Sequence, residues 1–296
     1  MASQVTVSIC IVNWNTREAL RRCLESIARS KCDFELETIV VDNASTDGSA
    51  EMVRAQFPWA NLLPQQANLY YAAGNNLAMR AARGEFILLL NPDVVLPPEG
   101  IARLVAFLRK RPEAAGVAPA LRLPDGTIQR SLRTFPGPWA IWCEAMGLAR
   151  LFPRSRLFGG YRLGHFDYRS TIAVDQPMAS CLLLRRSALD RVGLFDEQFP
   201  MFFNDVDLCF RLKQAGFALY FTPEVIAEHE HGASTRQVWP EMVRESTRGL
   251  LRFYRKHYRG RLCPLVYWPT VALIYVAGAA RAAVATWRER GRRRSS

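Results

Sequence analysis

Three short runs of apolar and β-branched residues constrain the fold of this chain more than any other feature. They cover residues 5–12, 37–41 and 86–90, and runs of this kind are typical of strands buried on both faces of a sheet. Between them we expect helices over about residues 17–30, where apolar side chains recur at helical spacing, and over about residues 72–83. The run from Ser45 to Gly48 is expected to open another helix, which ends at about Phe57. The alternation predicts an α/β fold with a mostly parallel central sheet flanked by helices and joined by right-handed crossovers.

Polar residues close each of these strands. Asn13 ends the first run, Asp42 ends the second, and Asn91, Pro92 and Asp93 end the third. The carboxyl ends of the strands line the ligand crevice in an open α/β sheet. We therefore expect three distant segments of the chain to converge on one binding site.

Asp93 is a candidate metal ligand by its position. The rigid Pro92 sets its carboxylate just past a buried strand, where it can face a ligand. Mg²⁺ or Mn²⁺ would bind there through few protein oxygens and through substrate phosphates. The alternative is a plain turn, because Asn, Pro and Asp are common turn residues, and the same alternative applies to Asp42.

Two later segments add a candidate base and a candidate histidine. Asp205 follows Phe202 and Phe203, and apolar surroundings raise the pKa of a carboxyl group, as a general base requires. Alternatively, Asp205 and Asp207, two carboxylates at the start of a helix, only serve the positive end of its dipole. His229 begins a His-Glu-His run after an apolar strand, which suits a metal site, although a lone histidine is more often structural.

Five stretches stand in a characteristic order along the chain. They are SICIVNWNTREALRRCLESI, ETIVVDNASTDGS, YAAGNNLAMRAARGEFILLLNPDVVL, ASCLLLRRSALDRVGLFDEQFPMFFNDVDLCFRLKQAGF and HEHGAS. Together they resemble glycosyltransferase family 2, most closely its rhamnosyltransferase-like branch. The resemblance runs from about residue 5 to residue 234, and several independent motifs agree.

The resemblance implies a GT-A fold and inverting sugar transfer from a nucleotide-sugar, with Mg²⁺ or Mn²⁺ as cofactor. It implies that Asp42 binds the base or ribose, that Asp93 is the metal carboxylate and that Asp205 is the catalytic base. It also implies that His229 completes the metal or diphosphate site. The other residues that it places in the nucleotide-sugar pocket are Asn13, Gly74, Asn75 and Asn91.

One position departs from the family pattern. The family usually has Glu-Asp where this chain has Asn204 and Asp205. The base is retained, so activity is still expected, but the absence of one negative neighbour should lower the pKa of Asp205. By the branch resemblance the donor is dTDP-L-rhamnose, and another hexosyl or a galactofuranosyl donor is the near alternative.

The positive charge of the chain lies at its C-terminal end. The net charge is +12, and residues 236–296 hold 14 Lys and Arg against 3 Asp and Glu. The 18 residues from 263 to 280 carry no charge, which is near the lower limit for a membrane span. We expect a catalytic domain over residues 1–235 and a helical extension over residues 236–296 that lies in the interface of an anionic membrane. A full span and a buried packing helix are the alternatives.

Such an extension suits an acceptor that stays in the bilayer, such as a polyprenyl-diphosphate-linked glycan. No nucleic-acid partner is expected, because the body of the chain is near neutral. The N-terminal residues lack the basic start of a signal peptide, so we expect the cytoplasmic face of the plasma membrane.

Two other function classes stay open. A nucleotidylyltransferase would normally have a glycine-rich phosphate loop, but residues 5–17 contain no glycine. A non-catalytic membrane adaptor would use only the basic extension, so Asp93 and Asp205 would be dispensable.

Overall fold

The computed structural model describes residues 5–230 and 239–294, and for residues 239–241 and 287–294 it describes the backbone alone. The strands are β1 (Val7–Asn13), β2 (Leu36–Asp42), β3 (Asn61–Pro64), β4 (Phe86–Leu90), β5 (Val94–Val95), β6 (Ala114–Arg122), β7 (Leu132–Arg133), β8 (Ile172–Val174), β9 (Gln176–Pro177), β10 (Cys181–Arg185) and β11 (Ala218–His229). The helices are α1 (Arg17–Ala28), α2 (Ser49–Gln56), α3 (Tyr70–Ala81), α4 (Gly100–Arg109), α5 (Pro138–Ala145), α6 (Leu148–Leu151), α7 (Arg186–Val192), α8 (Asn204–Gln214), α9 (Trp239–His257) and α10 (Pro264–Arg294).

A nine-stranded mixed sheet forms the centre of the molecule. Its order is β3-β2-β1-β4-β10-β6-β11-β5, with β8 also paired to β11. The first four strands are parallel, whereas β10 is antiparallel to both of its neighbours. The predicted α/β fold with a central sheet flanked by helices is confirmed. Its second half is mixed because β10 arrives from a distant segment and pairs in the opposite direction.

The register of the parallel strands brings their polar ends together. Asn13 is paired with Asp42 across β1 and β2. β4 lies on the other side of β1 and ends at Leu90, one residue before Asn91. These residues therefore open at one edge of the sheet, where a ligand crevice is expected.

Helices cover both faces of the sheet, because alternate strand residues point to opposite sides. Ile9 and Ile11 of β1 share one core with α1, α2 and α4, and Cys10 shares the other with α3, α7 and α8. The strands are therefore buried on both faces, as their near-continuous apolar runs predict.

The turn after β2 is longer than the sequence pattern suggests. The sequence predicts that a helix opens in the run from Ser45 to Gly48, but α2 begins at Ser49. The Asp47 carboxylate accepts hydrogen bonds from the backbone N–H of Ser49 (3.1 Å) and of Arg17 (2.8 Å). Gly48 has a φ of 79°, which glycine adopts without strain.

The two C-terminal helices pack on the body of the molecule. Phe253 and Tyr254 of α9 and Ile274 of α10 lie in one buried cluster with Phe199 and Val206. Pro264–Thr286 within α10 is long and apolar enough to cross a membrane by length and composition, with a mean hydropathy of 1.4, and little of it is buried. The expected domain boundary at residue 235 lies outside the described residues.

Candidate active site

The first corner of the site is a hydrogen-bonded group at the ends of β1 and β2. The amide of the buried Asn13 donates to Oδ1 of Asp42 (2.8 Å) and to Oγ of Ser45 (3.1 Å). Thr16 Oγ1 donates to Oδ1 of Asn13 (2.7 Å), and Asp42 Oδ2 accepts from the backbone N–H of Ser45 (3.0 Å). The hydrogen bond from Ser45 is one that a turn residue makes, so Asp42 also has the role that the alternative interpretation gives it. Its carboxylate is also a fixed acceptor at the sheet edge, which suits a nucleobase N–H or a ribose hydroxyl.

Gly74 and Asn75 lie on α3, beside the same edge. The buried Asn75 amide donates to the backbone oxygen of Tyr71 (2.9 Å). A Cβ on Gly74 would lie 2.9 Å from Cγ1 of Val12, so glycine at this position allows α3 to pack closely on β1. Both residues therefore have a packing role, and their contact with a nucleotide stays a prediction.

The second corner is a buried pair formed by Asp93 and His229. Nε2 of His229 lies 3.3 Å from Oδ1 of Asp93, and both side chains are buried. Nδ1 of His229 lies 2.7 Å from Oε1 of Gln129. Since an amide oxygen can only accept, Nδ1 carries the proton in this contact and Nε2 faces the carboxylate.

This pair has a donor set that fits a divalent cation. A hard carboxylate oxygen and an imidazole nitrogen face each other, and Gln129 orients the ring as a hydrogen-bonding partner of a ligating histidine does. Among the described residues, no group of three or more His, Cys, Asp or Glu side chains could hold an ion. Ligand phosphates and water would have to supply the remaining oxygens. His231, the second histidine of the run, lies outside the described residues.

An open pocket of about 220 Å³ lies beside the pair. Arg22 and Arg122 contribute to its lining, and Arg22 makes a 2.6 Å ion pair with Glu230. Glu228 and Glu230 are exposed, while His229 between them is buried, because successive strand residues face opposite ways. The mouth of the pocket therefore carries both signs of charge.

Asp205, at the start of α8, forms the third corner. Its half-buried carboxylate accepts from the backbone N–H of Val206 (2.8 Å) and from Nε2 of Gln176 (2.9 Å). Burial raises the pKa of Asp205, and the hydrogen bonds from Val206, Ala179 and Gln176 oppose part of that rise. A raised pKa agrees with the apolar neighbours noted in the sequence and suits a general base.

The turn before Asp205 is strained and supported from behind. Phe203 has a φ of 68°, a conformation that is rare for an aromatic residue and that persists where packing enforces it. A Cβ on Gly249 of α9 would lie 3.0 Å from the backbone oxygen of Phe202, so α9 packs directly on this turn. Asn204 is buried, and its Oδ1 accepts from the backbone N–H of Asp205 (2.8 Å).

Tyr71 on α3 connects the second and third corners. Its hydroxyl donates to the backbone oxygen of Ala179 (2.9 Å). Burial and the negative charges of Asp205 and Asp93 raise the pKa of Tyr71, so both carboxylates lie within electrostatic reach of its ring.

The described lining of the pocket beside Asp93 includes neither Asp42 nor Asp205. The predicted residues therefore lie around the strand ends as three corners.

Three residues of the site were not predicted from the sequence. They are Tyr71, Gln129 and Gln176. The two glutamines hold His229 and Asp205, which lie 100 and 29 positions away along the chain. No local pattern marks such partners.

Comparisons with known proteins agree with the fold and with the family that the sequence resembles. The family model for glycosyl transferase family 2 matches residues 8–193. Over 238 residues the chain is 31% identical to the N-acetylglucosaminyl-diphospho-decaprenol L-rhamnosyltransferase of Mycobacterium tuberculosis. The aligned region covers 77% of this chain and 76% of the relative. The chain is 24% identical over 258 residues to the rhamnosyltransferase WbbL of Escherichia coli, with 83% and 92% covered.

A solved structure with a similar fold is the mannosyltransferase PcManGT from Pyrobaculum calidifontis, in complex with GDP-Man and Mn²⁺. The two chains superpose with a TM-score of 0.59 at 18% identity, over 95% of this chain and 76% of that one. At this identity the similarity concerns the fold.

Proposed function

The chain belongs to glycosyl transferase family 2 and is a glycosyltransferase, and on that premise we propose that it transfers L-rhamnose from dTDP-L-rhamnose, with inversion, to a lipid-linked glycan of the cell envelope. The names of the bacterial relatives support the sugar, and that of the mycobacterial relative supports a polyprenyl-diphosphate acceptor. The observation that carries the proposal is the carboxylate of Asp205, whose pKa is raised by burial, beside the strand ends that bear Asp93 and His229. Another hexosyl or a galactofuranosyl donor is the alternative.

In the proposed reaction Asp205 removes the proton from an acceptor hydroxyl. That oxygen attacks the anomeric carbon from the face opposite the nucleotide, and the bond from this carbon to the diphosphate oxygen breaks. The electron pair leaves with the nucleoside diphosphate, so one base suffices and no enzyme nucleophile is needed. The hydrogen bond from Gln176 holds the carboxylate in position for this proton transfer.

In this scheme Asp93 and His229 would hold Mg²⁺ or Mn²⁺, and Gln129 orients the imidazole. A bound divalent cation would stabilise the negative charge that develops on the leaving diphosphate. At the opposite corner, Asp42 accepts a hydrogen bond from the base or ribose, and Asn13 lines the same pocket and holds the Asp42 carboxylate in position through its amide. Gly74, Asn75 and Asn91 complete the proposed nucleotide-sugar pocket.

The proposed division of labour places catalysis in residues 1–235 and membrane contact in residues 236–296. The apolar length of α10 and the basic residues around it support attachment to an anionic membrane. Such attachment, on the cytoplasmic face of the plasma membrane, would keep the enzyme beside an acceptor that does not leave the bilayer.

The test incubates the full chain with dTDP-L-rhamnose, Mn²⁺ and a polyprenyl-diphosphate-linked N-acetylglucosamine in mild detergent. Mass spectrometry should find the acceptor heavier by one deoxyhexose, together with released dTDP. Asp205→Asn should lower kcat by about 10²–10⁴-fold, because it removes general-base catalysis. Chelation should stop turnover, and added Mn²⁺ should restore it.

Asp190→Asn is the matched control, because Asp190 is an exposed aspartate of α7. It should keep full activity. Full turnover by Asp205→Asn would refute the assignment of the base. Transfer from a different nucleotide-sugar in preference to dTDP-L-rhamnose would refute the assignment of the donor. Turnover unaffected by chelation would refute the metal site.

A further inference from the structure

Exposed large apolar side chains are concentrated in two segments of the molecule. Fifteen such side chains are exposed among those that the structure describes, and twelve of them belong to residues 139–157 or to α10. Residues 139–157 span most of α5, α6 and the following loop, and the exposed fractions of their six large apolar side chains range from 37% at Trp142 to 71% at Leu151. Leu265 at the start of α10 is 85% exposed. Clustering of this kind marks an interaction site, whereas single exposed apolar residues do not.

The two segments form one continuous surface. A groove of about 430 Å³ lies between them, lined by α5 and α6 and by Val266 of α10. Nε1 of Trp142 donates to Oγ1 of Thr270 (3.0 Å), which ties α5 to α10. Nε1 of Trp139 donates to the backbone oxygen of Leu157 (2.9 Å), which ties α5 to the loop after α6. Each indole thus has its N–H bonded while part of its ring stays exposed, which suits a boundary between water and lipid.

The border of this surface is cationic. Arg150, Arg154 and Arg156 are exposed along it. The one acidic residue between positions 138 and 158 is Glu144, and Arg162 pairs with it through two hydrogen bonds of 2.5 and 2.7 Å. A second copy of the chain would bring arginines against arginines in a two-fold contact, which costs free energy. An anionic surface meets the same arginines favourably.

We infer that residues 139–157 and the exposed face of α10, together called the aromatic surface, dock on a phospholipid bilayer that contains anionic lipid. The aromatic and leucine side chains enter the interface, and the arginines contact headgroup phosphates. The inference rests on the proposed attachment through the C-terminal extension. It adds the catalytic body as a second membrane contact, which fixes the orientation of the enzyme.

This orientation brings the proposed base close to the lipid. Ile141, on the inner side of α5, belongs to the same buried cluster as Val206, the residue that follows Asp205. α5 therefore lies between the bilayer and the start of α8, and a helix with its side chains is about 10 Å across. A sugar on a membrane-bound diphosphate can reach the base over this distance while its lipid stays in the bilayer.

The first test measures which tryptophans enter the bilayer. The full chain is mixed with vesicles of phosphatidylcholine and phosphatidylglycerol that carry bromine on their acyl chains, because bromine quenches tryptophans buried in lipid. Trp139→Phe should lower the quenched share of the fluorescence. Trp59→Phe, which removes an indole that is 48% exposed and distant in sequence from the aromatic surface, should raise it. An unchanged or higher quenched share in Trp139→Phe would overturn the inference.

The second test measures partition onto the same vesicles without bromine. Leu151→Glu combined with Phe152→Glu should weaken binding by about tenfold or more, because two apolar side chains lose their place in the interface. Trp59→Glu is the control and should bind as the unmodified chain does. Circular dichroism checks that each variant is folded. Binding of the double variant equal to that of the unmodified chain would refute the bilayer as partner.

Sedimentation tests the alternative occupant of the aromatic surface, which is a second copy of the chain. A dimer of the unmodified chain that becomes a monomer in the double variant, with vesicle binding unchanged, would make the aromatic surface an interface between copies and overturn the inference. Neither test contains donor or acceptor. Failure of the membrane inference is therefore distinguishable from failure of the proposed transfer activity.

Discussion

Gln176 is the side chain that most directly tunes the proposed base. Its amide donates to Oδ2 of Asp205 and so favours the charged carboxylate. Gln176→Leu removes this bond, and the pKa of Asp205, already raised by burial, should rise further. Since the base acts when deprotonated, the acidic limb of the kcat/KM profile should move to higher pH. The rate on the alkaline plateau should stay within about threefold of the original, because the base itself is retained.

A matched substitution separates this effect from a general disturbance of the loop. Gln198 is exposed on the segment before α8, and Gln198→Leu should leave the pH profile in place. If Gln176→Leu lowered the rate equally at every pH, Gln176 would position the substrate or the loop and would not tune Asp205.

Gln129 acts in the same indirect way at the proposed metal pair. Loss of a hydrogen-bonding partner of a ligating histidine typically costs about 10–100-fold in metal affinity. Gln129→Leu should therefore raise the Mn²⁺ concentration at half-maximal activity by about that factor, with kcat at saturating Mn²⁺ largely retained. Glu228→Gln alters an exposed carboxylate beside His229 and should have little effect. A larger effect for Glu228→Gln than for Gln129→Leu would mean that the ligand set is wrong.

At the scale of elements, local patterns predict the parallel half of the sheet but not how the remaining strands pair. β4 occupies the residues predicted for it, and α1 begins at the predicted Arg17, because burial on two faces and helical spacing are local properties. α2 begins later than expected because the side chain of Asp47 stabilises a longer turn. The antiparallel entry of β10 depends on pairing with strands far away in sequence, which its own residues do not encode.

The carboxylates at the start of α8 also depend on partners that are distant in sequence and that a local pattern does not predict. The sequence offers a helix-dipole role for Asp205 and Asp207 together, but the two separate in the structure. Asp207 is fully buried and contacts Arg211 (2.8 Å) on its own helix, and Lys256 and His257 (2.7 Å each) on α9. It therefore fastens α9 to the body, and only its partners 49 and 50 positions away reveal this role.

Asp207→Asn should destabilise the folded chain by about 1.5–3 kcal/mol, because a fully buried carboxylate loses its charge-assisted hydrogen bonds with Arg211, Lys256 and His257. Burial alone would raise the pKa of Asp207, but His257, Lys256 and Arg211 outweigh it and lower that pKa to about 2. In the unfolded chain an aspartate titrates near about 3.9. The stabilisation is therefore complete above about pH 4 and disappears as the pH falls towards about 2.

Urea unfolding between about pH 2 and pH 7 measures both effects. The unmodified chain should lose stability through the acid window more steeply than Asp207→Asn, which lacks the titrating group. Asp190→Asn, at an exposed position, should follow the unmodified chain throughout. Equal stability of Asp207→Asn and the unmodified chain at pH 7 would show that α9 is held by apolar packing alone.

At the scale of the whole molecule, the positive charge and the exposed apolar side chains are concentrated in a few segments of the chain. Residues 236–296 carry most of the +12 net charge, and α10, which contributes its exposed face to the aromatic surface, lies within that region. α9 packs on the strained turn that presents Asp205 through Gly249, and on Gly278 of α10 through Thr247. The proposed membrane docking and the proposed proton transfer are therefore connected through one helix.

The last prediction follows from that distribution. Salt shortens the screening length from about 10 Å at 0.1 M to about 3 Å at 1 M, which weakens contacts between arginines and lipid phosphates. Each such contact is worth about 1 kcal/mol at an anionic surface. Transfer to an acceptor embedded in vesicles with phosphatidylglycerol should therefore fall by about tenfold or more over this range. Transfer to a short-chain, water-soluble acceptor should change by less than about twofold, because docking does not limit it. An equal loss with both acceptors would mean that salt acts at the active site and that the arginines along the aromatic surface have no part in presenting the substrate.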